Sequence, residues 1–194
     1  LEADTLEVLA DLNHASQKGL QTIFDSSVGR STVNHPLGGR YQITPTEASV
    51  QKLPVQHGVT HTASVMAQGF NPYIAEWSPY HGAAYAVIEA TARLVAVGAN
   101  WSKARFSYQE YFERMDKQAA RFGQPVSALL GSIEAQIQLG LPSIGGKDSM
   151  SGTFEELTVP PTLVAFGVTT ADSRKVLSPE FKAAGENIYY IPGQ

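Results

Sequence analysis

Hydrophobic side chains recur at helical spacing in several stretches of the chain. Ala84, Val87, Ile88, Thr91 and Val95 stand at i, i+3, i+4, i+7 and i+11, which predicts a helix with one buried stripe, stopped by Gly98. Val126, Leu129, Leu130, Ile133 and Ile137 form a second such face. Pro125 suits the first turn of that helix, and Gly140 with Pro142 ends it. Leu6, Leu9 and Leu12 predict a short helix over residues 5–12, and Leu20, Ile23 and Phe24 another over 16–24. A further short helical piece is expected over 111–122. Strands are expected where residues alternate or are β-branched, at 48–55, 60–68 and 103–108. Residues 163–168 are nearly all apolar, like a strand buried on both faces. Residues 187–191 read as one more strand, 25–33 as a polar loop running into extended chain, and 69–73 as a turn. Helices interleaved with strands in this way predict a two-layer α/β domain.

Composition narrows the function classes. The 194 residues are 43% hydrophobic, enough for a sizeable core, and 16% charged, which is low and suggests surface covered by other protein. A formal net charge of −4 without a basic stripe argues against nucleic acid as a partner. With no cysteine there are no disulfides, thiolate metal sites or Cys/His catalysis. No apolar run is long enough to span a membrane and no signal peptide is evident, so a cytoplasmic protein is expected.

Candidate chemistry concentrates in residues 143–152. Gly145 and Gly146 allow close backbone approach to a ligand, Lys147 adds positive charge, Asp148 can hold a metal or orient the lysine, and Ser149 and Ser151 offer hydroxyls. The stretch lacks the spacing of a Walker A loop, and an ordinary helix-to-strand connection would have the same composition. Glu89 and Arg93 lie four apart on the predicted long helix, where a surface ion pair is favoured over a metal ligand. His57 and His61 have no adjacent glutamate, as a zinc helix would need. Residues 76–82 crowd an acid and aromatic rings ahead of the long helix, and Gln109–Glu110 follows the third strand. Neither group has a role fixed by spacing.

Taken together, specific blocks resemble a known family. Residues 145–154 (Gly-Gly-Lys-Asp-Ser-Met-Ser-Gly-Thr-Phe) and 159–164 (Val-Pro-Pro-Thr-Leu-Val) are similar to formylglycinamide ribonucleotide amidotransferase, also called phosphoribosylformylglycinamidine synthase. So are residues 11–13, 16–20, 24–29, 69–73 and 76–83. The resemblance extends over nearly the whole chain. It implies a fragment of the long form, covering the N-terminal aminoimidazole-ribonucleotide-synthetase-like subdomain of its second half. The implied fold is α/β (α+β), a two-layer mixed sheet with helices packed on one face. Residues 1–174 would form that domain, and 175–194 a connector and the first strand of a truncated C-terminal subdomain.

The implied activity is that of an ATP-dependent amidoligase of purine biosynthesis. ATP phosphorylates the amide oxygen of formylglycinamide ribonucleotide, and ammonia from glutamine displaces phosphate. The isolated fragment is expected to be inactive. Shorter family members carry Gly-Asn-Val-Ser at the equivalent loop, where Gly146 and Ser149 match while Lys147 and Asp148 depart. The resemblance thus implies Gly145, Gly146 and Lys147 for nucleotide and Ser149 for substrate, with no catalytic residue assigned. It also implies an auxiliary ADP or ATP with Mg2+ held by Glu47 and Glu89, where a third ligand falls on Arg93, which cannot bind a metal. Other domains of the same polypeptide would be partners, and because equivalent subdomains pair face to face, the chain is expected to self-associate. The alternative is a non-catalytic structural module that pairs with the first half and holds the auxiliary nucleotide.

Overall fold

Ala63, Val65 and Ala67 are buried, while Ser64, Met66 and Gln68 between them are not, the alternation of a strand with a helix layer on one side only. The structure, a computed structural model, describes residues 2–24 and 26–192. Asp25, at the head of the expected 25–33 loop, lies outside the described residues. In chain order the elements are α1 (Glu2–Ala10), α2 (Lys18–Gln21), β1 (Thr32–Asn34), β2 (Leu37–Gly38), β3 (Thr44–Pro45), β4 (Ser49–Lys52) and β5 (Thr62–Gly69). There follow α3 (Pro72–Trp77), α4 (Pro79–Ala96), β6 (Arg105–Tyr111), α5 (Ala119–Leu139), β7 (Ser143–Ser149), β8 (Thr153–Phe154), β9 (Leu157–Thr158) and β10 (Thr162–Asp172).

Six strands form one mixed sheet in the order β1-β4-β5-β10-β6-β7. Every pairing is antiparallel except β6 with the edge strand β7. Helix α4 lies across β5 and β10, and α5 packs on α4, so the helices cover one face of the sheet. The core between them holds Val65, Val87, Leu94, Phe106, Phe112 and Leu163, each at most 2% exposed. Burying each of these contributes roughly 1.5–3 kcal/mol. The expected two-layer mixed α/β architecture is the one observed.

Local chemistry sets the boundaries. Asn71 Oδ1 accepts the Ile74 N–H at 3.1 Å and Pro72 occupies the first turn, so the expected turn at 69–73 runs straight into α3. Ser78 repeats this arrangement for α4, accepting from the His81 N–H. On α4 the buried stripe runs through Gly82, Ala83, Ala86, Val87, Ala90, Thr91 and Leu94, leaving Ile88 and Val95 about half exposed.

Helix α5 differs most from expectation. It begins at Ala119, with Pro125 in its second turn rather than its first, and residues 112–118 are not helical. Its buried face is the small stripe Pro125, Ala128, Gly131, Ser132 and Ala135, whereas Val126, Leu130 and Ile137 are 56%, 55% and 72% exposed. The reason is close approach: a Cβ on Gly131 would lie 1.9 Å from the Tyr80 carbonyl oxygen, so α5 meets α4 backbone to backbone. Small residues bring the helices together and turn the large ones outward.

The expected connection at 143–152 is mostly strand. Residues 143–149 pair with β6, with a register shift that passes over Ile144. The 187–191 segment forms no strand, and Ile188 to Ile191 are 77–88% exposed, because no neighbouring strand meets its backbone groups. The connector before it does pack on the domain: Leu177 N–H donates to the Val97 carbonyl and Asn34 Nδ2 to the Leu177 carbonyl.

Candidate functional site

Strand β7 is an exposed edge whose outer rim holds the glycine pair. Gly145 has φ +143°, a conformation that favours glycine, and a Cβ on Gly146 would sit 2.9 Å from the Tyr108 carbonyl oxygen. Lys147 and Ser149 are two apart, so they project to the same face. Lys147 Nζ donates to Ser149 Oγ at 2.8 Å. Gln109, opposite Lys147 on β6, donates from Nε2 to the Lys147 carbonyl at 2.9 Å and to Ser149 Oγ at 3.4 Å. The turn after Ser149 is fastened to β6's exit: Phe112 N–H donates to the Ser149 carbonyl and Gly152 N–H to the Phe112 carbonyl. A primary amine, a hydroxyl and a carboxamide therefore converge on one solvent-facing patch beside two glycine backbones.

The opposite face of the same strand pair carries a buried acid. Phe106, Tyr108 and Glu110 alternate into the helix layer, and Glu110 is 1% exposed. Among the described residues its Oε2 has no hydrogen-bond partner, nor has the Tyr108 hydroxyl. Burial, and then the charge of Asp148 opposite it on β7, push the Glu110 carboxyl up to about 7. Burial and then Glu110 likewise push the Tyr108 phenol above its ordinary range. Sequence reading left Glu110 without a role; its i, i+2, i+4 spacing from Phe106 was the signal that it faces inward.

Glu47 and Glu89 come together at a different place, through Arg93. Arg93 Nη2 donates to Glu89 Oε1 at 2.7 Å, and Arg93 Nε lies 3.4 Å from Glu47 Oε2. The second Glu89 oxygen accepts the Phe70 N–H at 2.9 Å. The carboxylates sit against a guanidinium, and the donor set does not fit a divalent cation. Among the described residues, no group of three or more His, Asp or Glu could hold a metal ion. Beside this corner is a cavity of about 290 Å³ lined by Asn34, Thr46, Glu47, Gln68, Arg93 and Phe166, among others.

The sheet register relates the two places. Gly69, Ala165, Tyr108 and Gly146 lie in one row across β5, β10, β6 and β7. The glycine edge is thus three strand spacings from the end of β5, roughly 14 Å, and the sequence-derived residues form two separate clusters. The aromatic block at 76–83 belongs to neither. There Trp77 and Tyr80 flank the His81 ring, and Gly82 lets α3 close on α4, since a Cβ would lie 2.6 Å from Ala75. Among the described residues, no helix is long and apolar enough to cross a membrane.

No family model matches the chain. Two curated relatives do: the phosphoribosylformylglycinamidine synthase subunit PurL of Thermococcus sibiricus is 25% identical over 98% of the chain, and that of Erythrobacter litoralis 28% identical over 97%. The match spans about a quarter (24%) of the length of each relative. Among solved structures, Thermotoga maritima PurL complexed with ADP superposes with a TM-score of 0.69 at 18% identity. That match covers 89% of this chain and 26% of the other, and it establishes a shared fold. Over nearly its whole length, then, the chain is similar to one quarter of the phosphoribosylformylglycinamidine synthase subunit PurL.

Proposed function

We propose that this chain is the part of a phosphoribosylformylglycinamidine synthase that supplies one wall of the site where ATP meets formylglycinamide ribonucleotide. The observation that carries the reading is the β7 edge, where Lys147 and Ser149 converge beside the Gly145–Gly146 backbone in one of the segments that carry the resemblance. In this reading the glycine backbones and Lys147 meet the nucleotide phosphates. Lys147 lowers the repulsion between the transferred phosphoryl group and the substrate oxygen that attacks it. Ser149 holds the substrate, with its hydroxyl oriented by Gln109 and Lys147. The amide oxygen takes the γ-phosphoryl group and ADP leaves. Ammonia then forms the new C–N bond, and the C–O bond breaks as phosphate departs. The chain contributes positioning and charge, so alone it is inactive. Residues 1–174 constitute the domain, and 175–194 lead into the next subdomain of a longer, long-form polypeptide.

The test is Ser149→Ala in the intact enzyme. Turnover of formylglycinamide ribonucleotide should fall at least about tenfold, as expected for a lost positioning contact, while glutamine hydrolysis continues. An unchanged rate removes Ser149 from the site.

A second reading, a structural module, is favoured by the uncovered apolar faces. Met66, Tyr111 and Val168 are 45%, 43% and 39% exposed on the open side of the sheet, and α5 turns Val126, Leu130 and Ile137 outward. Since the curated relatives are about four times as long, the other domains of the same polypeptide are the natural cover for these faces. In their absence the isolated chain pairs with itself through the open sheet face. Light scattering should report a dimer, and a monomer at high concentration contradicts the pairing.

A further inference from the structure

Helix α4 approaches the end of β5 unusually closely, because a Cβ on Gly69 would lie 2.2 Å from the Ala86 carbonyl oxygen and 2.9 Å from Glu89 Cβ. That approach places Glu89 where its Oε2 accepts the Phe70 N–H, leaving Oε1 to face Arg93 one helical turn on. Glu47, just ahead of β4, meets the same guanidinium from the other side. Arg93 is only 33% exposed and stands in the last turn of α4, where a cation complements the helix dipole. A guanidinium stays charged at any working pH.

A divalent cation could not share this corner. It would sit within a few ångströms of a fixed positive charge that already holds the Glu47 and Glu89 carboxylates. We propose that Arg93 is the resident cation of the corner where the resemblance places magnesium, so that Glu47 and Glu89 bind no divalent metal in this chain. This inference is independent of the β7 reading and concerns other residues.

Mn2+ is a suitable probe, followed by calorimetry and by thermal unfolding of the 194-residue chain. The wild-type chain should show no saturable Mn2+ uptake and no change in Tm at millimolar Mn2+ or Mg2+. Arg93→Gln should lower Tm in metal-free buffer and recover it in millimolar Mn2+, with saturable uptake that a further Glu47→Gln abolishes. Arg93→Lys, which keeps a cation, should remain indifferent to metal. Saturable Mn2+ binding by the wild-type chain that is lost in Glu47→Gln would overturn the proposal. So would an Arg93→Gln chain that folds yet is as indifferent to metal as the wild type. Should Arg93→Gln not fold, the wild-type titration and its Glu47→Gln control decide the matter alone.

Discussion

The two ends of one sheet row treat charge in opposite ways. At the β5 end, two carboxylates are closed upon a guanidinium: both Glu89 oxygens are committed, to Arg93 and the Phe70 N–H, and Glu47 Oε2 meets Arg93. At the β7 end, Lys147 stands on an exposed edge with a hydroxyl and two glycine backbones, and the nearby buried acid, Glu110, lies on the other face, its Oε2 without a hydrogen-bond partner among the described residues. The difference teaches where ligand chemistry can act. The first corner is a finished structural joint, and the second keeps a cation and backbone donors available to an anion.

The largest effect expected from disturbing this contrast lies at the joint. Gly69→Ala forces a Cβ into the Ala86 carbonyl, so α4 must move off β5 and carry Glu89 away from Phe70. A loss of about 3 kcal/mol or more is expected by chemical denaturation. A loss below about 1 kcal/mol would mean that the close approach is not what holds the corner.

Next comes Glu110. Its folded-state carboxyl holds its proton more tightly than the unfolded chain does, so the native state binds the additional proton. Stability from this group is therefore greatest at acidic pH, falls as pH rises from about 4.5 through about 7, and is flat above. The fall is on the order of 3 kcal/mol. Glu110→Gln should remove that slope and be the more stable chain at pH 8. Identical pH profiles for the two chains would show that Glu110 ionises normally.

How far the sequence foretold this molecule depends on what each element is made of. β5 was legible because Ala63, Val65 and Ala67 alternate with polar or exposed neighbours, and the middle of α4 because Val87 and Thr91 keep helical period. The contact face of α5 was not. Periodicity counts large apolar residues, whereas Gly131 and its small neighbours win the contact by letting two backbones touch. β7 was hidden because Gly-Gly-Lys-Asp-Ser has no strand propensity of its own; pairing with β6 imposes the extended form. The expected strand at 187–191 had the right residues and lacked a neighbour.

The candidate site divides similarly. Gly146, Lys147 and Ser149 stand out from their local order and from the resemblance, and the fold sets them together along β7. The bridge from Glu47 to Arg93 was not, since only the fold brings the start of β4 to the last turn of α4. Gln109 and Glu110 were expected just after the third strand, and in the structure that strand runs on through both of them. The register then separates them, Gln109 toward Ser149 and Glu110 into the helix layer.

On the proposed function, the most direct test of the β7 edge as the phosphate-facing wall is the KM for ATP of the intact synthase carrying Lys147→Met, with glutamine hydrolysis as the folding control. Losing one charge-assisted phosphate contact should raise that KM by about tenfold, equivalent to about 1.4 kcal/mol, with hydrolysis unaffected. An unchanged KM for ATP alongside intact glutamine hydrolysis would contradict the assignment.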